Sequence, residues 1–205
     1  MKFNNIIISI LKRFNNFYNY EIKKIFYMHH FTSKKLNFEW EKTNHLRIQV
    51  INNILKKTKE KRYLEIGCDL NQVFDKIQAK KKFGVDPLRG GNIRATSDNF
   101  FENNSEIFDV IFIDGLHEYD QVKKDIDNSL KFIDEKGFIV IHDLLPRNWL
   151  EEHVPRLSST WCGDIWKISF DLLKTENINF ELLLIDFGLG IIKKENKVVK
   201  LYNSN

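Results

Sequence analysis

Two apolar runs in the 205-residue sequence each end on residues that can bind a cation or take up a proton. Asp114 and His117 follow "FDVIFI", and His142 and Asp143 follow "GFIVI". If these runs are neighbouring parallel strands, about 4.8 Å apart, their ends converge and can hold one cation between them. Imidazole suits Mn²⁺, Fe²⁺ or Zn²⁺ better than Mg²⁺, and a histidine here can instead act as a general base without a metal. The residues therefore predict a reactive site on one edge of a sheet.

The order of strands and helices predicts how these residues are brought together. Short apolar runs without polar alternation are typical of strands buried on both faces, and segments of helical periodicity separate them. This alternation predicts an α/β fold with a mostly parallel sheet and helices on both faces. The last two runs flank a turn with glycines and predict an antiparallel C-terminal hairpin. The predicted strands are "RYLEIG", "KFGVD", "NIRAT", "FDVIFID", "GFIVIHD", "FELLLIDF" and "GLGIIKKE", and the predicted helices are residues 44–57, "QVFDKIQ", "SDNFFEN", "YDQVKKDIDNSLKFI" and "DIWKISFDLLKT".

Residues 1–44 are predicted to be a helical extension that precedes a domain of residues 45–205. We expect the first helix to pack on the domain or on another subunit, which would give a homo-oligomer; a membrane-surface helix is the alternative. No apolar run in this part is long enough to span a bilayer. The apolar residues at helical spacing are Ile6, Ile7, Ile10, Leu11, Phe14, Phe17 and Tyr18.

Charge and cysteine content exclude several classes of protein. The net charge is +4, and lysine and arginine occur in short, scattered groups. Without a dense basic block, a nucleic-acid partner is not expected. Cys68 and Cys162 form neither a CxxC metal motif nor a disulfide framework. A reducing compartment is the simpler interpretation, so a cytoplasmic protein is expected.

Several motifs, in this order, resemble those of class I S-adenosylmethionine (SAM)-dependent methyltransferases. "YLEIGCD" resembles the first motif, "FGVDP" the second strand, and "ATSDNFF" the segment that frames the adenine. "FDVIFIDGLHEYDQV" and "GFIVIHDLLP" resemble the fourth and fifth strands of a small-molecule subgroup, methyltransferase family 24. The resemblance covers roughly residues 45–195. It implies a Rossmann-like fold with a sheet of seven strands or slightly fewer.

The resemblance also implies roles for the residues at the first strand ends. Asp86 would accept hydrogen bonds from the cofactor ribose, and a turn cap beside Pro87 is the alternative. Glu65, a charged residue within a buried strand, either binds the amino end of the cofactor or makes a structural salt bridge. Ser97 either contacts the adenine or caps its helix. The cofactor ligands implied in this way are Glu65, Gly67, Asp86, Ser97, Asp98 and Asp114.

Metal-dependent O-methyltransferases carry a Mg²⁺ site to which the later strand ends are similar. This similarity implies a Mg²⁺ or Mn²⁺ ion held by Asp114, His142 and Asp143, where the metal would acidify a substrate hydroxyl. The predicted catalytic residues are His117, His142 and Asp143. One histidine takes the proton, while the aspartates bind the cation or orient the base. A structural histidine at the start of a helix is the alternative for His117.

The first motif departs from the family pattern because no second glycine follows Gly67; the chain continues Cys68, Asp69, Leu70, Asn71. Glycine permits a positive φ and a close approach of the backbone to a ligand. Asparagine adopts a positive φ more readily than most other residues. We therefore predict that Asn71 preserves the turn.

The sequence as a whole predicts a SAM-dependent methyltransferase that acts on a hydroxyl of a small polar metabolite or a sugar. Trp149 and Trp161 follow the fifth strand, where aromatic faces suit a ring-shaped substrate. The alternatives are a hydroxylase-like enzyme on the same fold and a non-catalytic binding protein whose cofactor loop has degraded. A nicotinamide-dependent dehydrogenase is disfavoured because the sequence has no GxGxxG phosphate loop.

Overall fold

Six strands form one mixed sheet in the computed structural model, which describes residues 46–157 and 159–195 together with residues 21, 22, 25, 39 and 40. The strands are β1 (Arg62–Ile66), β2 (Lys81–Val85), β3 (Phe108–Ile113), β4 (Ile133–Ile141), β5 (Ile178–Leu183) and β6 (Leu189–Lys194). They lie in the order β2-β1-β3-β4-β6-β5. Strands β1 to β4 pair in parallel, whereas β6 is antiparallel to both β4 and β5. The predicted sheet with its antiparallel C-terminal hairpin is confirmed, in the slightly reduced, six-stranded form.

Five α-helices accompany these strands between residues 46 and 195, and the first of them precedes β1. They are α1 (Arg47–Lys57), α2 (Ser97–Asn103), α3 (Tyr119–Phe132), α4 (Trp149–Glu152) and α5 (Ile168–Leu172). Short 3₁₀ turns occur at Phe74–Lys76 and Ile165–Lys167. None of the described helices combines the length and the apolar character that a membrane crossing needs.

The central strand β3 shows why the sheet is covered on both faces. All six of its residues are buried, and successive side chains of a strand point to opposite faces. Val110 and Phe112 therefore pack in the cluster that contains Ile51 of α1. The alternate residues Ile111 and Ile113 pack with α3 in the other cluster. This arrangement confirms the α/β class, because an apolar run without alternation needs a cover on each side.

The predicted helix "QVFDKIQ" is wrong, since only the 3₁₀ turn Phe74–Lys76 forms there. The side chain of Asn52 accepts a hydrogen bond from the Gln78 N–H (2.8 Å) and donates one to the Lys76 carbonyl (3.1 Å). These are backbone groups that a continuing helix would pair internally. The side chain from α1 therefore ends the turn.

Two further local predictions are also corrected. The segment "NIRAT" makes only an isolated bridge between Ile93 and Val85. It cannot extend as a strand because the Arg94 guanidinium reaches back to the carbonyls of Asp86 (2.7 Å) and Gly90 (3.0 Å), which closes a turn. Ser97 is not the cap of α2: Thr96 is the N-cap residue, and its side chain accepts the Asn99 N–H.

The N-terminal prediction falls mostly on residues that the structure does not describe. Helix α1 begins at Arg47, within the predicted domain of residues 45–205. Trp40 is almost completely buried, and its ring lies 5.9 Å from that of Phe187 in the β5–β6 turn. The apolar stripe between residues 6 and 18 lies outside the described residues. The extension, its boundary and an oligomer formed through it therefore stay predictions.

Candidate functional site

A cavity of about 710 Å³ lies at the edge of the sheet where β1 to β4 end. Most of the predicted site residues share its wall, whereas Glu65 is not among the residues that line it. Arg47, Gln121, Asp125 and Trp161 line it as well. The predicted residues in the wall are Gly67, Asp86, Ser97, Asp98, Asp114, His117, His142 and Asp143.

Asp114 and His142 stand side by side because the backbone pairing of the sheet continues past the strands. The Asp114 N–H donates to the Ile66 carbonyl (2.9 Å), and the His142 N–H donates to the Ile113 carbonyl (3.1 Å). Nδ1 of His142 lies 3.2 Å from Asp114 Oδ1 and 3.3 Å from Asp143 Oδ1. The structure thus brings together the three residues at the two strand ends. The His142 ring bridges the two carboxylates.

The other nitrogen of His142 meets two residues that sequence reasoning missed. Its Nε2 lies 3.3 Å from Arg47 Nη1 and 3.6 Å from Asp186 Oδ1. Arg47 also donates to Asp186 Oδ2 from its guanidinium (2.8 Å) and from its backbone N–H (3.1 Å). Arg47 opens α1 and Asp186 lies in the β5–β6 turn, so 139 positions separate them. The only feature of the sequence that pointed to Arg47 and Asp186 is that each is a charged residue at the end of an apolar segment.

The ring of His117 has a defined orientation in the wall of the cavity. Its Nδ1 lies 2.9 Å from the Trp161 carbonyl oxygen, and the two rings stack at 5.2 Å with an angle of 20° between their planes. A carbonyl only accepts hydrogen bonds, so Nδ1 carries the proton in the neutral ring. Nε2 is then the basic atom, 3.6 Å from Asp114 Oδ1.

Burial and carboxylates act in opposite directions on both histidines. Burial disfavours the charged ring, but Asp143 and Asp114 outweigh it and raise the pKa of His142 well above its usual value. The pKa of His117 is also raised, because the effects of Asp114 and Asp143 exceed the effect of burial. Burial would raise the pKa of Asp114, yet His142, His117 and Arg47 hold it far below its usual range. Each protonation state is therefore set by these neighbours.

The formal charges of the cluster leave room for one more positive charge. Three carboxylates, those of Asp114, Asp143 and Asp186, face Arg47 and a protonated His142. With His117 neutral, the cluster carries a net charge of −1. A proton on His117 brings the net charge of the cluster to zero. The cluster therefore favours proton uptake by His117 and disfavours proton loss from His142.

Asp143 is held in a backbone conformation that is uncommon for its residue type. Its φ is +63°, in the left-handed region. The next residue, Leu144, donates its N–H to the Gly188 carbonyl (3.2 Å), and Cys162 Sγ lies 3.6 Å from Asp143 Oδ1. Such conformations persist where the surrounding structure imposes them, and they cluster at functional sites.

A cation could also be held here, by a set that differs from the predicted one. Ligand atoms of Asp114, His117 and Asp143 all lie within 4.8 Å of one another. Two carboxylates and an imidazole are a donor set that suits Mn²⁺ or Fe²⁺. His142, the third ligand expected from the sequence, instead has both nitrogens directed at other side chains. The residues therefore fit a divalent ion with His117 as the nitrogen ligand.

The loop after β1 needs the one glycine that it has. A Cβ atom on Gly67 would lie 2.3 Å from the Asp114 carbonyl oxygen, and its φ is +83°. The prediction for Asn71 is confirmed, since its φ is +61°. Its side-chain oxygen also accepts the Gly91 N–H (2.7 Å). Asparagine thus keeps the turn and ties it to the loop after β2.

The carboxylate of Asp86 accepts four backbone hydrogen bonds. Oδ2 accepts the N–H groups of Cys68 (3.0 Å) and Asp69 (3.1 Å), and Oδ1 accepts those of Leu88 (2.8 Å) and Arg89 (2.9 Å). These bonds outweigh the effect of burial and lower the pKa of Asp86. Asp86 therefore fastens the loop after β1 to the loop after β2. Its predicted contact with a ribose stays a prediction.

A second polar wall of the cavity comes from α2 and α3. The Gln121 amide nitrogen lies within hydrogen-bond distance of Ser97 Oγ (3.2 Å), Asp98 Oδ1 (3.2 Å) and Asp125 Oδ1 (3.1 Å), and its two N–H groups are shared among these three oxygens. Burial and the neighbouring Asp98 raise the pKa of Asp125 to about 6, against the hydrogen bonds from Ser97 and Gln121. Sequence reasoning predicted Ser97 and Asp98 for the site but missed the two residues of α3.

Glu65 lies beneath the site rather than in the wall of the cavity. It is 1% exposed, and its Oε2 accepts the Tyr63 hydroxyl at 2.6 Å. Burial raises its pKa to about 8, although the bond from Tyr63 acts in the opposite direction. This contact supports the structural alternative, with a hydroxyl in the place of a salt-bridge partner.

The buried carboxyl of Glu65 should make the stability of the protein depend on pH. The unfolded chain releases the Glu65 proton near pH 4.5 and the folded chain near pH 8, so its ionisation destabilises the protein as the pH rises through this window. Each unit of pKa difference corresponds to about 1.4 kcal/mol. We expect Glu65→Gln to gain a few kcal/mol of unfolding free energy relative to wild type between pH 5 and pH 8. Urea unfolding at several pH values measures the unfolding free energy, with the exposed Glu60→Gln as the control. If plots of unfolding free energy against pH run parallel for wild type and Glu65→Gln, the prediction is contradicted.

Comparison with known proteins agrees with this architecture. The family model described as a methyltransferase domain, methyltransferase family 24, matches residues 40–144, just over half of the chain. The curated uncharacterized protein R132 of Acanthamoeba polyphaga mimivirus is 25% identical over an alignment of 150 residues, with coverage of 57% of this chain and 67% of that protein.

Two solved structures illustrate the shared fold. The SAH-bound Podospora anserina methyltransferase PaMTH1 is 17% identical with a TM-score of 0.55, over 75% of this chain and 80% of that chain. MycE, a methyltransferase of the mycinamycin biosynthetic pathway solved with Mg, SAH and mycinamycin VI, is 14% identical with a TM-score of 0.51, over 77% of this chain and 50% of that chain. These likenesses support the Rossmann-like methyltransferase fold. On the match of the family model, the chain belongs to the methyltransferase domain family, methyltransferase family 24.

Proposed function

We propose that the protein is a SAM-dependent methyltransferase that methylates a hydroxyl oxygen of a small polar metabolite or a sugar. The observation that carries this proposal is the cavity at the carboxyl ends of β1 to β4, with Asp114, His117, His142 and Asp143 in its wall. Ligands of open α/β sheets bind at this edge. A volume of about 710 Å³ suits one cofactor and a small substrate.

The cofactor role is supported by the loop geometry and by the relatives. When bound, SAM supplies a methyl group on a sulfonium, which an oxygen can accept by in-line displacement. The Gly67 loop, held by Asp86 and Asn71, presents its backbone to the cavity. PaMTH1 is described as SAH-bound and MycE as bound to SAH. We assign Gly67, Asp86, Ser97, Asp98 and Asp114 to the cofactor side of the cavity.

The acceptor of the substrate proton is assigned to His117. Its Nε2 is unprotonated in the neutral ring because Nδ1 donates to the Trp161 carbonyl. Asp114 and Asp143 stabilise the imidazolium that forms, at 3.6 Å and 3.3 Å from its nitrogens. His142 is the poorer acceptor because it is buried and already charged between carboxylates. Its role is to hold Asp114 and Asp143 together, with Arg47 and Asp186 behind it.

Metal-assisted methyl transfer is the second candidate, favoured by the close approach of Asp114, His117 and Asp143. These three residues would hold a Mn²⁺- or Mg²⁺-type ion, which lowers the pKa of a bound hydroxyl. The description of MycE includes Mg, so a structural neighbour has been solved with such an ion.

Removal of divalent ions separates the two candidates. For the mechanism with His117 as the base, we expect turnover with excess EDTA to stay within about twofold of the untreated enzyme. A loss of about 100-fold or more that Mn²⁺ restores would establish the metal-assisted mechanism instead. Titration of Mn²⁺ into wild type and Asp143→Asn, followed by calorimetry, gives a readout that does not depend on turnover.

Calorimetric titration with SAM tests the proposal itself. We expect binding to the wild-type protein with a stoichiometry of one per chain. The absence of binding with and without Mn²⁺ would refute the methyltransferase proposal and favour the non-catalytic alternative. Binding without methyl transfer to any of a panel of hydroxylated sugars and metabolites would favour the hydroxylase-like alternative.

A further inference from the structure

Residues 161–164, with the sequence "WCGD", each contact a group at or beside His117. The carbonyl and the ring of Trp161 both meet the His117 ring. Cys162 Sγ lies 3.6 Å from Oδ1 of Asp143, whose other carboxylate oxygen lies 3.3 Å from His117 Nδ1. We call these four residues the clamp, because its last two residues contact the backbone of the same histidine and the helix that follows it.

Gly163 brings the backbone of the clamp against the backbone of His117. Its φ is +65°, in the left-handed region. A Cβ atom at this position would lie 2.7 Å from the His117 carbonyl carbon and 2.8 Å from the His117 Cβ atom. These neighbours cannot rotate out of the way as the end of a flexible side chain does. Any residue other than glycine would therefore displace the clamp from the histidine.

Asp164 fastens the clamp to the start of α3. Its Oδ1 accepts the Tyr119 N–H at 2.7 Å. The first N–H groups of a helix have no partner within the helix. The N-cap residue Glu118 supplies no side-chain acceptor for them. Asp164 supplies one, on the helix that begins two residues after His117, and a negative charge is favourable at this end of the helix dipole.

The other side of the clamp is fixed to α4. The Glu151 carbonyl accepts the N–H groups of Cys162 (2.8 Å) and Gly163 (3.0 Å). Glu151 itself is almost completely buried. Contacts on both sides leave the clamp little freedom to move away from α3. They therefore determine where the Trp161 carbonyl lies, and this carbonyl is the acceptor for His117 Nδ1.

We propose that Gly163 and Asp164 are positioning residues that hold the His117 ring with Nδ1 on the Trp161 carbonyl, so that Nε2 is the atom that accepts the substrate proton. The inference rests on the proposed function, which assigns this proton to His117. Neither positioning residue is among those that line the cavity, so each acts through the placement of one backbone carbonyl. A ring that turned over about its Cβ–Cγ bond would place a carbon where Nε2 now lies, and a carbon accepts no proton there.

Turnover and cofactor affinity of Gly163→Ala and Asp164→Ala test this inference. Methyl transfer from SAM is measured with an acceptor from the panel of hydroxylated sugars and metabolites, and SAM affinity by calorimetry. We expect kcat to fall about tenfold to 100-fold in each variant, because a displacement of about 1 Å can cost 100-fold. SAM affinity should stay within about threefold of wild type, since uniform binding is not altered.

Two further variants separate positioning from a general loss of structure. Asp164→Asn keeps an oxygen that can accept the Tyr119 N–H, so kcat should return to within about threefold of wild type. Lys167→Met is the matched control, because Lys167 Nζ contacts the other oxygen of the same carboxylate, Oδ2, at 2.8 Å. This variant removes an exposed ion pair and should keep wild-type turnover.

A spectroscopic readout of the ring does not depend on turnover. In isotope-labelled protein, the magnetic resonance signal of the His117 Nδ1–H proton is identified by its absence from His117→Asn. The bond to the Trp161 carbonyl should protect this proton from exchange with water in wild type and in Asp164→Asn. Gly163→Ala and Asp164→Ala should lose the signal.

The outcomes distinguish this inference from the proposed function. If wild type binds no SAM, the proposed function fails, and the assigned part in proton transfer fails with it. If wild type binds SAM and transfers methyl groups while both alanine variants keep kcat within about threefold, only the inference is overturned. A His117 signal that survives in both alanine variants overturns it as well. Should Gly163→Ala lack a cooperative thermal transition, the comparison of Asp164→Ala with Asp164→Asn decides.

Discussion

His117→Asn is expected to lower kcat by about 10²- to 10⁴-fold and to leave the affinity for SAM within about threefold. The loss follows from removal of the basic nitrogen that lies 3.6 Å from Asp114 Oδ1. Asparagine is still able to donate to the Trp161 carbonyl, so the loop keeps its contact there. Single-turnover methyl transfer and SAM calorimetry on the same preparation measure the two quantities. The exposed neighbour Glu118→Gln is the control and should keep wild-type turnover.

The pH profile of wild type adds a second check on the same residue. A base must be neutral to accept a proton, so turnover rises with pH through the pKa of His117. Because Asp114 and Asp143 raise this pKa, the rise in turnover should lie above the pH range of an ordinary histidine.

A kcat of His117→Asn within about fivefold of wild type would refute the role of His117 as proton acceptor. The assignment would then return to His142.

Asp86→Ala is expected to weaken SAM binding by about 100-fold or more and to lower the unfolding free energy by roughly 2–5 kcal/mol. Four backbone N–H groups of the loops after β1 and β2 lose their acceptor in this variant. Calorimetry with SAM and urea unfolding measure the two effects. The exposed Asp75→Ala, in the adjoining 3₁₀ turn, should change neither quantity by more than the experimental scatter.

The two readouts distinguish the structural role of Asp86 from its predicted contact with a ribose. In Asp86→Asn one side-chain oxygen remains as an acceptor, but an NH₂ group replaces the other and faces two backbone N–H donors. We therefore expect this variant to lose stability as well. SAM affinity that survives in a folded Asp86→Ala would refute the cofactor assignment. Full stability with lost affinity would show that the carboxylate serves the ligand rather than the loops.

Much of the fold was predictable because it depends on local patterns. A run such as "FDVIFI" has no polar side to place in water, so it predicts a strand covered on both faces. Parallel strands present their carboxyl ends at one edge. The residues that follow two neighbouring runs, Asp114, His142 and Asp143, had to meet there. Asn71 was predictable for a similar reason, since its backbone preference is local.

Short helices and caps were less predictable because tertiary contacts override weak local signals. The helix expected at "QVFDKIQ" is reduced to a turn by Asn52, a residue of another helix. Thr96 rather than Ser97 caps α2, since either hydroxyl suits the position and only the path of the chain selects one.

The sequence by itself determined the α/β class, the edge of the sheet that carries the candidate site, and the acids and histidines at that edge. Only the tertiary structure decided how these side chains are paired. Arg47, the first residue of α1, and Asp186, in the β5–β6 turn, both reach His142 from distant parts of the chain, and the Trp161 carbonyl orients His117. The parallel direction of the strands decides which edge of the sheet a residue reaches. The direction of its side chain and its hydrogen-bond partners depend on segments that fold back from far along the chain.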